Sequence, residues 1–108
     1  MKVRIKGKDY EFRFDSVWGP LYTYEDIVGE RMPYNPQKLM CVHVMLYCIL
    51  LRCNEDIDVT LDEFLNALND IKMEKAMREY YFRRTEELSR GVDEATENGQ
   101  EEGDKKKD

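Results

Sequence analysis

Residues 39–51 (LMCVHVMLYCILL) carry no fully charged side chain, and His43 is the most polar group among them. This run constrains the fold more than any other part of the chain. As a helix it would span ~20 Å at 1.5 Å per residue, short of the ~30 Å hydrocarbon core of a bilayer. A helix that is apolar nearly all round needs neighbours on most of its sides. In a chain of 108 residues the run therefore reads as the buried axis of one small domain rather than a membrane span.

The neighbours of that axis are legible on both sides of it. Val3, Ile5, Tyr10, Phe12 and Phe14 alternate with Lys2, Arg4, Lys6, Glu11 and Arg13. Period 2 marks half-buried strands. Residues 2–6 and 10–14 are expected as a β-hairpin turning at Gly7-Lys8-Asp9, its apolar face needing a helix to cover it. A first helix is expected from a Ser16 cap, or from Pro20, to about Val28, with Gly29 as its stop. Its inner face holds Val17, Leu21, Tyr24 and Val28, flanked by Trp18 and Ile27. The axis helix itself is expected from Pro36, capped by Asn35, to about Cys53.

Downstream, Thr60-Leu61-Asp62-Glu63 reads as a capping box opening a short third helix with Phe64, Leu65 and Leu68 on its apolar side. Asn69-Asp70 either breaks and re-caps the chain or bends one long helix. A fourth helix follows from about Ile71 to Ser89, with Gly91 as its end. The expected core is Val3, Ile5, Phe12, Phe14, Leu21, Leu39, Val42, Leu46, Ile49, Leu50, Leu65 and Leu68. The fold class is α+β: an N-terminal two-stranded β-hairpin packed on a small bundle of three or four helices. Residues 1–90 form the domain. Residues 91–108 (GVDEATENGQEEGDKKKD) are expected as a disordered acidic tail ending in a Lys run, because they lack the apolar area to offset the entropy of ordering.

Charge and cysteine content narrow the function. The formal net charge is −6, about two thirds of it in the tail, so no basic field gathers nucleic acid. The N-terminus begins MKVRIKGKDY without an apolar signal region, and the three cysteines form no disulfide framework. Both fit a cytoplasmic, non-secreted protein. Cys41 and Cys48 lie about two helical turns, ~10 Å, apart, too far to share a zinc ion with ~2.3 Å bonds. His43, the single histidine, has neither an orienting acid nor a nucleophile among its helical neighbours, although Tyr47 is placed to bond it. Asn54, Asp56, Asp58, Thr60 and Asp62 alternate like a calcium loop, but the turn glycine and the final bidentate acid are missing. No metal, no cofactor and no catalytic residue is expected, and the chain reads as a non-enzyme.

The remaining candidate is an aromatic and arginine patch. Tyr80, Tyr81 and Phe82 are consecutive, so they do not all face one way on a helix, and Arg83 and Arg84 follow. With Met77 they make a candidate protein-binding surface of the residue types that anchor interfaces. Tyr22, Tyr24 and Tyr34 add aromatic surface of similar character. So apolar a helix in so small a body also points to self-association.

The order of these elements is similar to that of a known family. A hairpin reading KVRIKGKDYEFRF leads to a helix ending YTYEDIVGE, then a loop, an apolar helix, TLDEFLNAL and a charged amphipathic helix. This resembles the tail assembly chaperones of long-tailed bacteriophages and prophages, with Glu25 and Gly29, and then Thr60, Leu61, Glu63 and Phe64, at matching places. Pro20 and the loop 30–36 depart from the pattern. The resemblance implies a non-catalytic chaperone of the host cytoplasm. It would bind the tape-measure protein and keep it soluble until tail-tube proteins assemble around it. It also implies a longer frameshifted product, for which Lys105, Lys106 and Lys107 suit an adenine-rich slippery site. A small bacterial protein-binding adaptor or regulatory module without catalysis is the alternative.

Overall fold

A computed structural model describes the backbone of residues 1–100 and the side chains of residues 1–90. Its elements are β1 (Lys2–Ile5), β2 (Lys8–Glu11), α1 (Trp18–Tyr24), a π-helical turn (Glu25–Gly29), α2 (Leu39–Cys53), α3 (Leu61–Ala67) and α4 (Ile71–Gln100). The fold is α+β, a two-stranded antiparallel hairpin packed on four helices. The expected tail falls at residues 91–108, where either the side chains or the whole placement lie outside the described residues. The helical backbone itself passes Gly91 and continues to Gln100.

The hairpin pairs Val3 with Tyr10 and Ile5 with Lys8. That register leaves Lys6-Gly7 as the loop, with φ of +54° and +76°, rather than the expected Gly7-Lys8-Asp9. Two-residue loops with both φ positive twist in the same sense as the strands they join. Gly7 adopts that conformation without steric cost. Beyond β1 the ladder extends by one more pair: the Met1 amino group donates to the Phe12 carbonyl at 3.0 Å, and the Phe12 N–H donates to the Met1 carbonyl at 2.8 Å. Val3, Ile5, Tyr10, Phe12 and Phe14 are all buried, so period 2 is kept through residue 14.

Where β1 runs out, side chains of other elements take over the backbone of the second strand. The Phe14 N–H donates to the Tyr80 hydroxyl at 3.1 Å, and Arg84 Nε donates to the Phe14 carbonyl at 3.0 Å. The opposite edge is closed by the end of α2. Asn54 Oδ1 accepts from the Glu11 N–H at 3.2 Å, and its Nδ2 donates to both the Glu11 and Leu50 carbonyls at 2.9 Å. Next along the strand, the Cys53 thiol donates to the Arg13 carbonyl at 3.0 Å and accepts from the Arg13 N–H at 3.3 Å. An edge that would otherwise invite a foreign strand is thus filled from within.

α2 is the axis. Cys41, Val42 and residues 44–50 are buried. It starts later than expected, because Asn35 caps a turn and not the helix: its Oδ1 accepts the Gln37 N–H and its carbonyl accepts the Lys38 N–H, each at 2.9 Å. Asparagine competes for local amides in this way. Leu39 and Met40 then sit in a first turn that no other described element covers, 57% and 51% exposed, so Leu39 leaves the expected core. Leu21 and Leu65 are half-buried against its edge. Residues absent from the expected list fill the space, chiefly Tyr10, Tyr24, Tyr47, Phe64, Met77 and Tyr81.

The capping box is formed. Glu63 N–H donates to Thr60 Oγ1 at 3.1 Å and Thr60 N–H donates to Glu63 Oε1 at 3.0 Å. Asp70 Oδ1 then accepts the Met73 N–H at 3.2 Å, so α3 and α4 are separate helices with their own starts. In α1 the buried face carries Gly19, Pro20 and Tyr24 rather than Val17 and Leu21. The guanidinium of Arg52 lies against Gly19, where an added Cβ would come within 2.6 Å of Nη2. Burial of that face turns Val17 and Trp18 outward.

Candidate protein-binding surface

α4 does not present the expected aromatic and arginine patch as one surface. Met77 is fully buried, and Tyr81 is 5% exposed. The Tyr81 ring packs on Phe14 at a centroid separation of 5.1 Å, and its hydroxyl shares a 2.6 Å hydrogen bond with the Tyr34 hydroxyl. Burial pushes both phenols above their ordinary range. Tyr80 stacks beside Phe12 and holds the Phe14 amide. Arg84 is committed to Phe14, Glu87 and Asp15. Of the six expected residues Met77, Tyr80, Tyr81, Phe82, Arg83 and Arg84, Phe82 and Arg83 face solvent, and Arg83 lies over the Tyr80 ring. Sequence alone does not say which face of α4 meets the strand that continues to Phe14, and that contact decides the burial of Tyr81.

His43 has found the acid that its own helix lacks. Its Nε2 lies 2.8 Å from Glu74 Oε2, and Arg78 binds the same carboxylate through Nε at 2.7 Å and Nη2 at 3.2 Å. The Arg78 hydrogen bonds, with a smaller contribution from His43, hold the Glu74 carboxyl below its usual range. Among the described residues no Ser, Thr or Cys hydrogen-bonds His43, so the cluster reads as a bridge between α2 and α4. Cys48 is enclosed, and burial pushes its thiol up to about 12. Among the described residues no three His, Cys, Asp or Glu side chains approach closely enough to hold a metal ion, and no helix is long and apolar enough to cross a membrane.

The surface that does offer room lies beside the π-helical turn. An open groove of about 840 Å³ is floored by Leu21, Ile27, Val28, Pro33 and Tyr34 and rimmed by Glu25, Asp26, Glu30 and Arg31. Its far wall is fixed. Tyr24 donates to the Met32 carbonyl at 2.7 Å, Tyr34 meets Tyr81, and the Tyr24 and Tyr34 rings meet edge to face at 5.3 Å. Gly29 lets the turn close on Glu25: a Cβ there would lie 3.0 Å from the Cβ of Glu25. Single π-helical turns occur often at functional sites.

Trp18 and Tyr22 lie on α1, whose Leu21 lines this groove. They are four residues apart on α1, hence neighbours on one helical face, and they are 64% and 65% exposed. Glu25 and Asp26 follow at the next turn of the same face. Tyr22 belongs to the aromatic surface expected from the sequence, whereas Tyr24 is fully buried. Trp18 was expected to flank the inner face. The available signal was the pair Gly19-Pro20, whose small, rigid backbone suits close packing and turns its neighbour outward. Comparison with protein-family models, with curated proteins and with solved structures finds no match.

Proposed function

We propose that this chain is a non-catalytic protein-binding module that acts as a tail assembly chaperone, holding a helical segment of a tape-measure protein. The observation that supports the reading is the pair Trp18 and Tyr22, exposed one turn apart on α1, the helix whose Leu21 and following turn line a preformed groove with an apolar floor. Exposed large apolar residues scattered singly mean little, but aromatic residues grouped beside a concavity are the usual anchors of an interface. An amphipathic helix would lay its apolar stripe on the two rings and the groove floor. The element order that resembles the phage chaperones supplies the identity of the partner.

The test is co-expression of the chain with a tape-measure protein, scored by the soluble fraction and by co-purification. The wild type is expected to keep the tape-measure protein soluble. Trp18→Ala with Tyr22→Ser, folded by circular dichroism, is expected to release it to the pellet. Failure of the wild type to co-purify, or an unchanged yield with the double variant, would refute the proposal.

A further inference from the structure

The groove carries a charge pattern that selects among helical partners. Glu25, Asp26 and Glu30 stand exposed at its rim against a single cation, Arg31. None of the four has an ion-pair partner among the described residues. Other acids of the body are paired internally, Asp9 by Arg4, Glu11 by Lys2, Glu63 by Lys6, Glu74 by Arg78 and Glu87 by Arg84, and those at 55–62 are unpaired too among the described residues but line no groove with an apolar floor. Glu25 and Asp26 follow Trp18 and Tyr22 on the same helical face, and Glu30 comes just after the π-helical turn.

From this we infer that the occupant of the groove is a basic amphipathic helix, with an apolar stripe on Trp18, Tyr22 and the groove floor and Lys or Arg residues facing Glu25, Asp26 and Glu30. The inference rests on the protein-binding reading above and adds the partner's charge. A second copy of the chain, whose α4 carries Lys72, Lys75 and Arg83 exposed and outside any ion pair among the described residues, is the competing occupant that the test separates. An acidic helix would place like charges together, and an uncharged one would leave three carboxylates without partners in the bound state.

The chain contains one tryptophan, so the emission of Trp18 reports occupancy directly. Two synthetic probe helices of identical apolar stripe are titrated into the full chain at low and at near-physiological salt, one flanked by Lys and one by Glu. The Lys probe is expected to shift Trp18 emission to the blue and to bind about tenfold more tightly than the Glu probe, the sum of three exposed ion pairs. The preference is expected to shrink with salt. Glu25→Gln, Asp26→Asn and Glu30→Gln together are expected to abolish the preference while the apolar contact survives.

Equal affinity for the two probes, or an unchanged preference in the triple variant, overturns the inference and leaves the groove as an uncharged docking surface. No shift with either probe overturns both the inference and the groove reading. A blue shift that grows with protein concentration alone assigns the groove to a second copy and overturns the inference. Loss of a blue shift on removing residues 101–108 assigns it to the chain's own lysines, with the same consequence.

Discussion

Asn54→Ala tests how the hairpin is tied to the helical axis. The Asn54 side chain closes three hydrogen bonds, one from the Glu11 amide and two to the Glu11 and Leu50 carbonyls. Each bond of this kind contributes about 0.5–1.5 kcal/mol net, and a backbone group left without a partner costs more when water does not reach it. The three groups are partly buried, so water restores some of the loss. The expected destabilisation is about 2–3 kcal/mol. For a domain of this size that corresponds to roughly 10–20 °C in melting temperature. Asn54→Asp keeps the acceptor for Glu11 but sets a carboxylate against two carbonyl oxygens, and is expected to be at least as damaging.

The assay is urea denaturation followed both by circular dichroism and by Trp18 emission, with coincident curves establishing a two-state transition. Asn69→Ala serves as the reference. Its side chain makes one exposed bond to Asn66 and is expected to shift stability by less than about 0.5 kcal/mol. If Asn54→Ala unfolds at the same urea concentration as Asn69→Ala, the side chain does not join strand to helix and the account of the sealed edge is wrong.

Other residues give independent checks. Met77→Ala is expected to cost about 2–5 kcal/mol in the same assay, and Arg83→Ala less than about 1 kcal/mol; similar values for the two would return Met77 to the surface. Thr60→Ala is expected to cost about 1 kcal/mol through the lost capping box, measured by the urea midpoint. Glu74 is held below its ordinary value of 4.5 in the folded state. Its contribution to stability is therefore complete above the unfolded value and lost as pH falls through the folded one. The wild type is expected to lose stability faster than Glu74→Gln between about pH 5 and pH 3, and parallel acid limbs would refute the bridge. With a thiol reagent at mildly alkaline pH, Cys53 is expected to react first, while Cys41 and Cys48 wait for unfolding; two or more thiols titrating in the folded protein would contradict their enclosure.

Features set by short-range rules were legible in the chain. Period 2 placed the hairpin and its buried face. An uninterrupted apolar run placed the axis, and Thr60 with Glu63 placed the start of α3. Features decided by a partner distant in sequence were not. The hairpin turn is Lys6-Gly7 rather than Gly7-Lys8-Asp9 because the pairing of Val3 with Tyr10 fixes the loop, and no local composition rule contains that pairing. Tyr81 looked like surface because its partners, Phe14 and Tyr34, lie 67 and 47 positions away along the chain. Asn54 looked like one more residue of an alternating polar run because its role depends on Glu11. The candidate site shared this problem. An aromatic cluster in sequence was a poor guide to an aromatic surface, since a helix sends consecutive residues in different directions.

That distinction bears on why Trp18 and Tyr22 are informative although single exposed apolar side chains are common. The body is economical with its polar and aromatic groups: Tyr80, Arg84, Cys53 and Asn54 each close a backbone group of the second strand, and Tyr24, Tyr34 and Tyr81 brace one loop. Rotating α1 to bury Trp18 would displace Pro20 and Gly19 from under Arg52. Burial of Gly19, Pro20 and Tyr24 on the inner face therefore holds α1 in the orientation that keeps both rings outside. Gly19→Ala brings a Cβ to within 2.6 Å of Arg52 Nη2, and because the guanidinium is the end of a flexible side chain, the expected result is displacement of Arg52 with α1 retained. Trp18 emission then stays at the wavelength of an exposed indole. A blue-shifted emission in that variant would mean that α1 turns freely and that the exposed pair is not held in place by packing.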